Sequence, residues 1–381
     1  MTTCTSSRAL AEIDVAAFVA NVKRADTLHS GKWLLPVIKA NGYGHGLETL
    51  ALALSGCVDA GVPLTGVAVA SLAEAQQLRE IGWALPIVLL PGYVVADEVG
   101  LGSKLKLDPV VHSLYQIDLI VKAIAQDSTQ QPKRVWLKAN TGMNRVGLNP
   151  DDWRRAYEQL RQHPAIEIVA MSHLACADEP DSPMTLQQQA SFEALLADTA
   201  PKTGRSLAAS GGVLAWPTTH YDIARPGIML YGSSPFAQRS AESLELKPVM
   251  TLRSRLIAIN SINKGDTVGY GATFVADKPM RLGVVSIGYG DGYPRKAPTG
   301  TPVLIHTQEG PVRTRLVGRV SMDMITVDLS DVPAAIDDDV ILWGEGLPAD
   351  EIATLCGTIA YELFCQVTPR VPRSVKGADR G

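Results

Sequence analysis

Eight short apolar runs punctuate the first two thirds of the chain, and their spacing restricts its fold more than any other feature. They are WLLPVIKAN (33–41), TGVAVAS (65–71), LPIVLLPG (85–92), KLDPVVHS (106–113), RVWLKAN (134–140), EIVAMSHLA (167–175), SLAASGG (206–212) and DIARPGIMLYG (222–232). Each is continuous rather than alternating, as suits parallel strands covered on both faces. Between them lie helix-like stretches such as LAEAQQLREIG (72–82) and MTLQQQASFEALLADTA (184–200), the second stopped by Pro201. Repeats of this kind predict an α/β fold, a (β/α)8 barrel. The rival is a doubly wound open sheet, which usually has fewer strands and an early GxGxxG fingerprint; that fingerprint is absent.

The texture changes after residue 235. VMTLRSRLIAINSI (249–262), MRLGVVSIGYG (280–290), TPVLIHT (301–307), PVRTRLVGRVSMDMITVDLS (311–330) and DDVILWG (338–344) are rich in Val, Ile and Thr. Turn residues such as Asn263, Gly265 and Asp266 separate them, and helical signal returns only over 349–367. The expectation is a barrel over 10–236 and a mostly β C-terminal domain over 237–381, joined by residues 1–9. The closing SVKGADRG reads as a frayed tail.

A chain of 381 residues has room for one large and one smaller domain. Its net charge of −4, with no long run of one sign, argues against nucleic-acid and acidic-membrane partners and favours a small-molecule substrate. The five cysteines are odd in number and form no CxxC pair, so neither a disulfide framework nor a metal site is expected. Most read as reduced core thiols. The opening residues show no secretory pattern, and no apolar run reaches bilayer length; the expected location is cytoplasmic.

The strongest local signal is VIKANGYGHG (37–46), which puts Lys39 at the C-terminal end of the first barrel strand. Barrel active sites are built at that end. A partly buried lysine there can join an aldehyde cofactor as a Schiff base. On its own it is also what a rim lysine reaching out to solvent looks like.

KANGYGHG resembles the cofactor-lysine signature of the alanine racemases. The resemblance continues through VWLKANTGMNRVGL (135–148), SHLACAD (172–178), ARPGIMLYG (224–232), GYGATF (269–274), IGYGDGYPR (287–295), GRVSMD (318–323) and TIAYELFC (358–365). One such motif is weak, whereas eight in the family's order across nearly the whole chain are specific. The resemblance implies a pyridoxal 5'-phosphate barrel, a C-terminal β domain and a homodimer with shared active sites, acting on alanine.

By the same resemblance, Lys39 holds the cofactor and serves as one catalytic base, and Tyr270 of the other subunit is the second. Racemisation needs a proton carrier on each face of the α-carbon. A free tyrosine titrates near ~10, so nearby cations or ordered donors must assist it. Arg225 resembles the arginine facing the cofactor's pyridine nitrogen, which then remains an acceptor, and His173 the residue that orients it. Ser210, Gly227 and Ile228, with the phenols of Tyr43 and Tyr361, match the phosphate site at the barrel's C-terminal face. Lys138 matches a lysine that is often carbamylated in the family, its new carboxylate facing Arg145. Arg145 and the Met322 amide are the implied anchors for the substrate carboxylate. Tyr289, Met322 and Asp323 match residues that surround the substrate from the partner. Tyr289 and Tyr361 narrow the entrance, which favours a methyl side chain.

Two positions depart from the family pattern. Ala209 stands where an Asn commonly precedes the serine, and Ser321 where some members have Cys. The nearest alternative is a broad-specificity or serine-preferring racemase of the same fold. A related barrel decarboxylase lacks the GYGATF and GRVSMD pairing, and a non-catalytic cofactor carrier has no use for residues 240–370. An inert structural barrel is what fold alone leaves open.

Overall fold

A computed structural model describes residues 8–197 and 204–376. Strand β1 (Ala9–Asp14) leads into α1 (Val15–Leu28), where the Asp14 carboxylate caps the helix by accepting from the Ala17 amide at 2.8 Å. The barrel strands follow: β2 (Trp33–Leu34), β3 (Val67–Val69), β4 (Ile87–Leu89), β5 (Leu107–Val111), β6 (Arg134–Lys138), β7 (Glu167–Met171), β8 (Arg205–Ser206) and β9 (Ile223–Ala224). Strands β3 to β8 pair in sequence, all parallel, and β2 pairs with β9. Bridges at Leu34–Leu64 and Val37–Ala68 join β2 to its next neighbour, and Ala209–Arg225 joins β8 to β9. The ring is therefore closed, and each apolar run of the sequence supplies one stave.

The helices between the staves are α2 (Lys39–Tyr43), α3 (Leu47–Asp59), α4 (Leu72–Glu80), α5 (Ala96–Lys104), α6 (Leu114–Gln126), α7 (Pro150–Arg161), α8 (Met184–Ala197) and α9 (Ser210–Ala215). Helix α7 shows the logic: Asn149 caps it, Pro150 opens it, and Trp153, Ala156, Tyr157 and Leu160 form the buried stripe. At the N-terminal end of the barrel Arg134 reaches Glu167 at 2.8 Å, Asp108 at 3.6 Å and Thr65 Oγ1 at 3.3 Å. This polar plug closes the floor and leaves the C-terminal face as the mouth.

The second unit contains β10 (Met250–Ile262), β11 (Thr267–Val268), β12 (Phe274–Val275), β13 (Met280–Val285), β14 (Pro302–Thr307), β15 (Gly310–Arg315), β16 (Ile325–Asp328), β17 (Asp339–Trp343), α10 (Ala349–Leu355), α11 (Ala360–Gln366) and β18 (Arg373–Lys376). Its main sheet runs β15-β14-β17-β10-β1-β18, with β13 and β16 branching from β10. Strand β1 is antiparallel to β10, with Ala9 opposite Ser254, and parallel to β18, with Ala11 opposite Arg373. The sheet thus takes residues up to Asp14, beyond the 1–9 expected from sequence.

Several local expectations are corrected. Ser374–Lys376 form part of a paired strand rather than a frayed tail, because β1 offers them an open edge; residues 377–381 lie outside the described region, as do 1–7 and the end of the 184–200 helix. The first barrel run is strand only at Trp33–Leu34, and its motif then turns. The helical stretch 349–367 is two helices, broken where Gly357 takes φ +66°. Cys57 and Cys356 are buried, Cys176 is half-buried, Cys365 is exposed, and Cys4 lies outside the described residues.

Candidate active site

Val37 and Ile38 are buried, and Lys39 then emerges half-buried at the barrel mouth. Ala40 (φ 54°), Asn41 (φ 53°), Gly42 (φ 60°) and Tyr43 (φ 51°) all take the left-handed conformation. Non-glycine residues pay about 1–2 kcal/mol each for that geometry, so the surroundings must enforce it. The Gly42 amide donates to Ile38 O at 2.9 Å, and the Gly44 amide to Ala40 O at 2.9 Å. Asn41 Oδ1 accepts from the Leu47 amide at 2.8 Å, and Glu74 Oε1 accepts from the Asn41 amide at 3.2 Å. His45 Nδ1 donates to Gly42 O at 3.1 Å and Tyr43 O at 2.9 Å. Any Cβ at Gly42 would stand 2.5 Å from Leu50, and one at Gly44 would run into the Phe364 carbonyl. From the second unit, Arg373 Nε donates to Gly44 O at 2.8 Å. The turn aims Lys39 into the mouth and sends Tyr43 back into the protein.

One side of the mouth is cationic. Burial and the Arg145 guanidinium hold the Lys39 amine below its ordinary range. Burial, then Arg225, Arg145 and Lys39, lower Lys138 to about 8, so every charge acting on it is positive. Arg225 is buried, and burial lowers it to about 10. Its Nη1 donates to Ser206 Oγ at 2.6 Å, and its Nη2 to Ser172 O at 2.6 Å and Leu207 O at 3.2 Å. His173 Nδ1 lies 3.4 Å from the same Nη2. Burial and Arg225 drive the imidazole down to about 3, so it stays neutral and accepts. Arg145 itself is exposed.

The other side is built of hydroxyls and amides. Ser210 Oγ accepts from the Gly227 amide at 2.9 Å and the Met229 amide at 3.3 Å, with Ile228 between them. The Tyr43 hydroxyl lies against Gly227, where an added Cβ would come within 2.9 Å of it. The Tyr361 ring is 5.9 Å from the Tyr43 ring. Burial pushes both phenols well up, so they remain protonated donors. Ala209 is the N-cap of α9 and gives it no side-chain hydrogen bond. An Asn there would have supplied one.

Tyr289, Met322 and Asp323 are brought together on the second unit, which also carries Tyr270. Tyr270 stands 67% exposed on a turn beside Arg319, whose Nη1 lies 3.0 Å from where a Gly271 Cβ would sit. Tyr289, Met322 and Met324 are exposed on the same unit. Behind them the Tyr289 amide donates to Ser321 O at 3.1 Å, and the Gly290 amide to Met322 O at 2.8 Å. Asp291 is buried, accepts from the Gly288 amide at 3.0 Å, and pairs with Arg8 and Arg370. The Asp323 carboxylate accepts from Arg370 at 2.6 Å, and so belongs to this clamp. Arg145 opposes the Lys39 charge, and Cys365 and Glu74 favour it.

Two family models match, "Alanine racemase, N-terminal domain" over residues 13–235 and "Alanine racemase, C-terminal domain" over 249–375. The chain belongs to the alanine racemase family. A family member from Pseudomonas putida, named as a catabolic alanine racemase, is 46% identical over 97% of this chain and 99% of its own. The crystal structure of the biosynthetic alanine racemase of Pseudomonas aeruginosa superposes with a TM-score of 0.90 at 43% identity, covering 97% of this chain and 100% of that one. A Bartonella henselae alanine racemase structure, described with covalently bound pyridoxal phosphate, matches with a TM-score of 0.85 at 28% identity, covering 97% and 100% of the two chains.

The sequence reading missed Glu74 and Arg373, which hold the lysine turn, and Gln188, which holds the end of β7. Glu74 and Gln188 lie on stretches read only as helices, and Arg373 lies just before the segment read as a tail.

Proposed function

We propose that the chain is a pyridoxal-phosphate enzyme that interconverts L- and D-alanine, with Lys39 of one subunit and Tyr270 of its partner as the two proton carriers. The observation that carries this reading is the Lys39 amine, depressed by burial and Arg145, set between a cationic side and a hydroxyl-and-amide side of one barrel mouth. The residues fit the cofactor: the bare Cα of Gly227 beside the Tyr43 hydroxyl leaves a cradle that a Cβ would fill. Pyridoxal phosphate held by Lys39 would supply a sink for the electrons left on the substrate's α-carbon.

This chain's residues do the rest. Ser210, Gly227, Ile228, Tyr43 and Tyr361 would hold the phosphate with neutral donors. Arg225, oriented by His173, would face the pyridine nitrogen as a donor and leave it unprotonated. Lys39 takes the α-proton from one face, and Tyr270 returns a proton to the other. Arg145 and the Met322 amide hold the substrate carboxylate, while Tyr289, Asp323 and Tyr361 shape an entrance sized for a methyl group. A Lys138 carbamate would place an anion among Lys39, Arg145 and Arg225. Its amine, at about 8, is neutral often enough to attack carbon dioxide and release a proton.

The exposed Tyr270, Tyr289, Met322 and Met324 support a homodimer in which Tyr270 meets the partner's barrel mouth. The described cysteines are all free, which fits the reducing cytoplasm; no described helix is long and apolar enough to cross a membrane. The test is exchange of optically pure alanine by the purified, cofactor-loaded protein. Tyr270→Phe should keep the yellow colour and lose about 100-fold or more of the turnover. Alanine left unscrambled by the wild type overturns the reading.

A further inference from the structure

Helix α8 packs outside the barrel, yet one of its polar residues, Gln188, is wholly buried. Its Oε1 accepts from the Ala175 amide at 2.7 Å. That fixes the amide's orientation, because a backbone N–H can only donate. Nε2 then donates to His173 O at 2.9 Å and to Thr141 Oγ1 at 3.2 Å. The Thr141 hydroxyl, used as an acceptor, passes its own hydrogen to Ser172 Oγ at 2.8 Å, and Ser172 Oγ donates to Ala139 O at 2.8 Å. Each hydrogen in this relay has one acceptor, so the chain runs in a single sense.

The relay ends on the groups that set the cationic side of the mouth. Ala139 follows Lys138, and Ser172 O is the carbonyl that accepts Arg225 Nη2 at 2.6 Å. His173, whose carbonyl Gln188 holds, presents its ring nitrogen 3.4 Å from that same Nη2. We propose that Gln188 is a positioning residue that fixes Lys138, His173 and Arg225 relative to one another by stapling the ends of β6 and β7. The proposal rests on the cofactor reading above and deepens it.

The barrel contains its own control. Gln116 on α6 is also buried; its Oε1 accepts from the His112 amide at 2.8 Å, and its Nε2 donates to Pro91 O at 2.9 Å and Tyr93 O at 3.2 Å. This is the same staple at the ends of β4 and β5, which carry none of the residues assigned to the cofactor. Loss of either glutamine removes a comparable buried amide, but Gln188 holds the His173 carbonyl and the Thr141–Ser172 pair beside Arg225, whereas Gln116 reaches the cationic side only through His112, which feels the Lys138 charge.

The experiment is equilibrium dialysis of the full-length wild type, Gln188→Met and Gln116→Met against pyridoxal phosphate, read by visible absorbance, with a thermal melt of each. Both variants should melt below the wild type by similar amounts. Gln188→Met should hold the cofactor about tenfold more weakly, as removal of supporting hydrogen bonds does at other bound centres, while Gln116→Met stays within about twofold. Thr141→Val breaks the relay but leaves the bonds to Ala175 and His173, and should weaken binding by about threefold; it carries the test if Gln188→Met does not fold. Wild-type affinity in Gln188→Met, or in Thr141→Val where Gln188→Met does not fold, overturns the proposal, as does equal weakening in Gln116→Met. A wild type that takes up no cofactor overturns the cofactor reading itself, and with it this one.

Discussion

His45 makes acid stability a quantitative test of how the lysine turn is held. Its ring is buried, 4.8 Å from Tyr231 and 5.0 Å from Phe364 between ring centres, and Nε2 meets no partner. Protonation would bury an unsatisfied charge, and burial accordingly lowers the pKa from 6.5 to about 4. Between those values the unfolded chain binds a proton that the folded chain refuses. The contribution is therefore full above the unfolded pKa and is lost as pH falls toward the folded one. At about 1.36 kcal/mol per unit, the gap amounts to roughly 3 kcal/mol. His45→Asn keeps a donor near Nδ1 but cannot titrate. Its stability should be lower at about pH 8, where the ring's packing is missed, yet should fall less than the wild type's by roughly 3 kcal/mol on going to about pH 4. Urea unfolding of the cofactor-loaded protein across that range measures both. His29 and His173, also depressed, are common to the two proteins and cancel in the difference. Parallel pH profiles would refute the argument.

Three further outcomes are expected. Removing dissolved carbon dioxide should lower turnover and added bicarbonate restore it, with a larger loss below the Lys138 value of about 8, where its amine is increasingly protonated; carbon-13 NMR with labelled bicarbonate reads the carbamate directly, and turnover indifferent to carbon dioxide would remove it. Gly44→Ala drives a Cβ into the Phe364 carbonyl at φ +79° and should cost about 2–4 kcal/mol of stability in a thermal melt; an unchanged melt would mean the turn has slack. Asp291→Asn weakens the clamp to Arg8 and Arg370 behind Tyr289 and Met322, and because both arginines are partly solvated the expected loss is about 1–2 kcal/mol. Its KM for alanine should rise, and an unchanged KM would separate the clamp from the substrate loops.

The barrel was legible because parallel strands buried on both faces have to be continuous apolar runs, and RVWLKAN and EIVAMSHLA admit few other readings. The lysine motif was legible as a motif, though its left-handed turn was not. Gly42 and Gly44 permit that geometry, but Ala40, Asn41 and Tyr43 are held in it by His45 within the motif and by Glu74 and Arg373, which lie at other places along the chain. Strand β18 was misread because SVKGADRG lacks the apolar content of a buried strand; it is an edge strand whose partner, β1, is distant in sequence. Gln188 lies among Gln187 and Gln189, and nothing in a run of three glutamines says which one turns inward. Tyr270 could be picked out only by resemblance, since a single chain leaves it on the surface with no partner that would reveal its use.

The order of the main sheet, with β1 between β10 and β18, bears on how the molecule is made. During synthesis, β1 leaves the ribosome before any barrel stave and long before either strand that will flank it. The barrel can curl up and close while β1 waits with both edges open. The second unit is complete only when β18, the last described strand, slots in alongside. Arg373 on that strand also donates to the turn behind Lys39, so a nascent chain holds its cofactor lysine fully braced only once translation has passed that strand.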